Sequence, residues 1–133
     1  MPSGETKIDQ LIKLMSPRLN PGEYVFCSID HSQKLPSVSI IGQFHEKEGT
    51  SIIISKKDAD DLALSYSLVC VWITLEVHSS LSAVGLTAAF SVALAKENIS
   101  CNVVAGFYHD HLFVPWKNKD QAMETLLELS NNH

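Results

Sequence analysis

The chain has 133 residues, 45% of them hydrophobic and 19% charged, enough apolar material for one ordinary domain or two very small ones. Its net charge is −5 and its basic residues are scattered, with only Lys56-Lys57 adjacent. That excludes the clustered cationic surface that nucleic acids and anionic membranes require.

The polar start, Met1 to Thr6, has no apolar segment behind it, and the longest near-apolar stretch, Val84 to Ala95, is too short to span a bilayer. The cysteines Cys27, Cys70 and Cys101 are odd in number, lack a C-x-x-C and lie in apolar runs. They read as reduced core thiols of a soluble cytoplasmic protein.

In chain order, Ile8, Leu11, Ile12 and Met15 recur at helical spacing, and Pro17 ends that helix. Asn20-Pro21-Gly22 reads as a turn and Glu23 to Ile29 as a strand. After a polar loop, Asp30 to Pro36, strands over Val38 to His45 and Thr50 to Ile54 flank a turn at Glu46 to Gly49, which makes an antiparallel hairpin. Ser55 and Asp58 form a capping-box pattern that opens a short helix, Lys56 to Leu64.

The second half is more regular. Over Val71 to His78, Val71, Ile73, Leu75 and Val77 alternate with Trp72, Thr74, Glu76 and His78, so one face meets a core and the other faces water or a partner. The polar loop Ser79 to Ser82 leads into a helix over Ala83 to Glu97, striped with Leu86, Ala89, Phe90, Ala93 and Leu94 and closed by Asn98 in the left-handed region. Strands over Ser100 to Tyr108 and His111 to Trp116 flank a His109-Asp110 turn. Asn118 then caps a last helix carrying Ala122, Leu126 and Leu129.

This order is β-α-β-β-α, preceded by a weaker helix, strand, hairpin and helix, with the break near Leu64 to Ser67. The fold class is therefore α+β, antiparallel sheet with helices packed on one face.

Residues 74–89 (TLEVHSSLSAVGLTAA), 100–115 (SCNVVAGFYHDHLFVP), 19–29 and 46–64 together resemble small tandem ACT-domain proteins. More distantly, the hairpin with its Asp-His step is similar to the ACT domains of cytosolic arginine sensors. The resemblance implies tandem ferredoxin-like halves, an N-terminal ACT-like half over 1–66 and a C-terminal ACT domain over 67–133. It also implies a regulatory module that binds a small molecule, usually an amino acid, at an ACT–ACT interface, and a chain that forms homo-oligomers. The alternative is a pure oligomerisation or protein-interaction module with no ligand, for which the small-residue helix face of Ala83, Ala88, Ala89 and Ala93 is suited.

Candidate ligand residues follow. The loop Ser79, Ser80, Ser82, Val84 and Gly85 precedes a helix, whose free backbone N–H groups and positive dipole end accept a carboxylate. Alternatively, Ser80 or Ser82 is an ordinary N-cap and Gly85 a packing glycine. By itself, Asp110 is a turn residue. The arginine-sensor resemblance makes it the partner of a ligand amino group, with Gly106 and Phe107 supplying backbone and a wall.

His109-x-His111 suggests a metal, but two ligands are too few for a structural zinc site, and no metal or cofactor is expected. The Trp72, Thr74, Glu76 and His78 face is read as one covered by the other half or a second subunit, rather than as a binding face. There is no G-x-S-x-G, P-loop, dinucleotide fingerprint or H-E-x-x-H, so no enzyme activity is expected.

Overall fold

The computed structural model describes residues 7–76 and 84–131. Its elements are α1 (Lys7–Leu14), β1 (Ser16–Ile29), β2 (Gly42–His45), β3 (Thr50–Ser55), α2 (Lys56–Asp61), β4 (Val69–Glu76), α3 (Val84–Lys96), β5 (Asn102–Ala105), β6 (Asp110–Pro115) and α4 (Lys119–Asn131), the last entered through a 3-10 turn, Trp116–Asn118.

The strands form one six-stranded sheet in the order β2-β3-β1-β4-β6-β5, with every described pairing antiparallel. The tandem halves therefore meet as a single sheet along β1 and β4. Tyr24 to Ile29 of β1 pair with β3, whereas Ser16 to Asn20 pair with Glu76 to Trp72 of β4. Each half thus has a four-stranded set, β2-β3-β1-β4 or β1-β4-β6-β5, and the two central strands belong to both.

The Asn20-Pro21-Gly22 turn expected from local chemistry is instead an irregularity inside one long strand. The register slips between Asn20 and Tyr24, because three residues of β1 stand opposite the single residue Val71. Gly22 takes φ of +102°, and Tyr24 donates from its hydroxyl to the Pro21 carbonyl at 2.5 Å. A proline without an N–H and a glycine at positive φ suit a bulge as well as a turn.

The strand expected from Val38 begins only at Gly42. Beyond the Gly42–Ile53 pair, Ile41 keeps one backbone bond to Ile53 at 2.8 Å, and β3 soon gives way to α2, leaving nothing for 38–40 to pair with. The strand expected over Ser100 to Tyr108 contracts to Asn102–Ala105. Asp110 is not a turn residue. The hairpin closes where the Gly106 N–H donates to the His109 carbonyl at 2.9 Å, so its tip is Phe107 and Tyr108.

Ser55 caps α2 by accepting from the Asp58 N–H at 3.0 Å, and Asn98 has φ of 59° after α3. All four helices pack on one face of the sheet. Ile12, Phe90, Leu94, Ala122 and Leu126 meet Val71, Ile73, Leu75, Leu112 and Val114, and Ala59 of α2 meets Val25, Cys27, Ile52 and Ile54. Each fully buried Val, Leu, Ile or Phe contributes about 1.5–3 kcal/mol, so this one-sided layer carries most of the stability. The opposite face holds Ile53, Cys70 and Phe113, with Tyr24, Ile41 and Trp72 packed around them and no helix residue in that group.

Candidate functional site

Three strands end together at one end of the sheet. Leu75 of β4 pairs with Asp110 of β6, and Asp110 pairs with Ala105 of β5. One residue beyond Leu75, β4 ends at Glu76, and α3 begins at Val84.

Strand alternation puts Asp110 on the same face as Leu112 and Val114, the face that carries the helices. Asp110 is half-buried there.

Next to it, Gly106 sits in a tight place. A Cβ at this position would stand 2.8 Å from the His109 carbonyl oxygen and 3.1 Å from His111 Nε2. Only glycine fits without moving the backbone. Phe107 is 95% exposed at the hairpin tip and rests edge-on against Tyr108, with ring centroids 4.9 Å apart. It does not form a wall against Gly106 and Asp110 within this chain. Val84 and Gly85 are the first two residues of α3. Ser79, Ser80 and Ser82 lie outside the described residues, as does His78.

The helix-free face carries a hydrogen-bonded chain that spans both halves. Arg18 Nε meets Glu76 Oε1 at 2.6 Å, and Arg18 Nη1 donates to Asn20 Oδ1 at 3.2 Å. Asn20 Nδ2 donates to the Trp72 carbonyl at 3.2 Å and to Thr74 Oγ1 at 2.9 Å. The indole Nε1 of Trp72 donates to His111 Nδ1 at 3.0 Å, and Thr74 Oγ1 lies 3.2 Å from the same nitrogen.

An Nδ1 that accepts from the indole must be unprotonated, which leaves the proton on Nε2. Burial pushes the His111 imidazolium below its ordinary value, and the nearby His109 adds to that. The face that alternation turns towards water or a partner is fully buried at Thr74 and half-buried at Trp72.

His111 uses its Nδ1 in this chain of bonds. Among the described residues no three His, Cys, Asp or Glu side chains converge as a metal site would require.

Sequence reasoning passed over a cleft of about 510 Å³ between the β1 bulge and α2, lined by Pro21, Gly22, Tyr24, Lys56 and Asp61 among others. Its cations are already engaged, since Lys56 pairs with Asp60 and Lys57 with Asp61, each at 2.9 Å. The available signals were Pro21-Gly22 and the adjacent lysines.

Comparison with known proteins identifies the architecture. Residues 3–71 match an ACT domain, and residues 67–128 match a second. A Vibrio cholerae protein of unknown function, described as a possible transport protein, is 41% identical, with 92% of this chain and 95% of that chain covered and a TM-score of 0.83.

An Agrobacterium tumefaciens protein shares the fold at 15% identity, with 87% and 89% coverage and a TM-score of 0.67. So does the regulatory subunit of aspartate kinase from Thermus thermophilus, at 10% identity, 85% and 95% coverage and a TM-score of 0.58. Comparison with curated proteins finds no match. Two successive matches that together take in nearly all of the described sheet, and a relative 41% identical over almost its full length, make the assignment plain: the chain belongs to the ACT-domain family and carries two ACT domains in tandem.

Proposed function

We propose that this chain is a cytoplasmic regulatory module that binds a small molecule, an amino acid, beside the connection from β4 to α3. The supporting observation is the row Leu75–Asp110–Ala105, which sets one carboxylate on the helix side of the sheet where β4 gives way to residues 77–83. In this reading Asp110 pairs with the ligand ammonium. Backbone N–H groups of the segment from Ser79 to Gly85 take the carboxylate, since the start of a helix offers unpaired donors. Gly106, whose missing Cβ makes room for the His109 carbonyl and His111, contributes its backbone to the site, and a neighbouring ACT-domain surface closes the site against Phe107. The regulatory role is supported by the family, and by the aspartate kinase regulatory subunit that shares this fold.

A thermal-shift screen of the twenty amino acids tests the reading. A ligand at 100 times its Kd adds roughly 2.7 kcal/mol of stability. At about 3–5 °C per kcal/mol for a chain of this size, Tm rises by about 10 °C. Asp110→Asn abolishes that rise while leaving the unliganded Tm within about 2 °C, as expected for a group at a strand end. If no amino acid moves Tm at millimolar concentration, the reading is wrong. The second reading, an interaction module without a ligand, is favoured by the aromatic surface on the face of the sheet opposite the helices.

A further inference from the structure

We propose that the helix-free face of the sheet is an isologous interface that joins two copies of this chain. Tyr24, Phe26, Trp72 and Phe113 form a continuous aromatic group there. Tyr24 meets Trp72 edge-on and Phe26 meets Phe113 edge-on, each at 5.4 Å between centroids, and Trp72 stacks on Phe113 at 6.2 Å. Among the described residues nothing from the helical layer covers this group, and Phe26 remains 37% exposed where it meets Phe113, with Phe44 71% exposed towards the β2 edge. A pocket of about 50 Å³ opens beside it between Ile41, Trp72, Val104 and His111. It offers a place for a side chain from across the interface.

Charge selects the partner. In the regularly paired parts of the strands, this face carries Arg18 and Glu76 as its charged side chains, and they bind each other at 2.6 Å. Glu46 reaches its rim by accepting from the Ser51 hydroxyl. A chain with a net charge of −5 repels its own copies over most of its surface, whereas here two copies meet across a nearly neutral aromatic centre with charge at the rim. A twofold axis lets the same patch serve both sides.

Size is consistent with that partner. Six strands about 4.8 Å apart and about 20 Å long give a face of roughly 600 Å². Two such faces bury roughly 1,200 Å², the lower edge of the range for specific interfaces. The expected dimer is therefore reversible and dissociates on dilution.

Sedimentation velocity on the full chain, from about 1 to about 300 μM, tests this, a range that brackets micromolar dissociation constants. The wild type should pass from monomer to dimer, and Phe26→Glu, with native circular dichroism, should weaken association at least tenfold. Leu127→Glu, on the exposed side of α4, should leave association unchanged. A wild type that stays monomeric throughout overturns the proposal. So does a folded Phe26→Glu that dimerises as the wild type does, because the contact then lies at a sheet edge or on the helices.

If Phe26→Glu does not fold, acrylamide quenching of Trp72 in a Trp116→Phe background decides. Quenching that rises on dilution supports the interface. Quenching that stays constant while the mass halves contradicts it. The outcome is independent of amino-acid binding at the Asp110 end, so failure of either proposal leaves the other standing.

Discussion

Removing the Asn20 side chain is the sharpest test of how the two halves are held in register. Asn20 is 7% exposed and makes three hydrogen bonds, to Arg18, the Trp72 carbonyl and Thr74 Oγ1. In Asn20→Ala, Thr74 Oγ1 loses its donor in a fully buried position, and the Trp72 carbonyl loses one too. Leaving a buried acceptor unsatisfied costs about 1–3 kcal/mol. The bond to half-exposed Arg18 adds little, so the expected loss is about 2–3 kcal/mol, or a Tm lower by about 6–15 °C.

Thr74→Val removes the buried hydroxyl and costs less, because His111 Nδ1 keeps its bond from Trp72. The double variant should then cost measurably less than the sum of the singles, with a coupling of about 0.5–3 kcal/mol. Urea unfolding of the four proteins measures the cycle. A loss below about 0.5 kcal/mol for Asn20→Ala, or strict additivity, would refute the idea that this network ties β1 to β4.

Other perturbations have equally definite outcomes. Ala63, just past α2, has φ of 56°, which costs a residue with a Cβ about 1–2 kcal/mol, so Ala63→Gly should raise stability by about 0.5–1 kcal/mol in thermal unfolding. His111 is held below its ordinary value by burial first and by His109 second. The unfolded chain therefore binds this proton more readily, and stability is full above about pH 6.5 and falls as pH drops below it. Protonation at Nδ1 would also turn the acceptor for Trp72 into a donor. Urea midpoints at pH 7.5 and pH 5.5 should differ more for the wild type than for His111→Asn. Burial pushes the Cys101 thiol up to about 11, so its labelling by a thiol reagent at pH 8 should be about a hundredfold slower in the folded chain than in the denatured one.

What was legible in the sequence follows the range of the forces involved. The alternation Val71, Ile73, Leu75 depends on one face meeting a core, and all three are buried. The stripe of Phe90 and Leu94 and the left-handed Asn98 are equally local and equally visible. Asn20-Pro21-Gly22 misled because turn chemistry and bulge chemistry use the same residues. What decides between them is the pairing of Ser16 to Asn20 with a strand more than fifty positions away, which no local pattern carries. Asp110 misled for the same reason, since a His-Asp dipeptide looks like a turn until the ladder to Leu75 and Ala105 includes it.

The chain of bonds from Glu76 to His111 was half visible. Trp72, Thr74 and Glu76 stood out by alternation, but Arg18 and Asn20 lay in residues read as a helix stop and a turn. The proposed amino-acid site is built on Asp110, which the ladder to Leu75 and Ala105 sets on the helix side of the sheet.

Titrating the twenty amino acids into uniformly ¹⁵N-labelled protein and following the backbone amide resonances tests that site most directly. The account predicts that one amino acid, or a few of similar chemistry, shifts amides from Ser79 to Gly85 and from Ala105 to His111, with Asp110→Asn removing the response. No shift with any amino acid at millimolar concentration, or shifts confined to the cleft between Pro21 and Asp61, would contradict it.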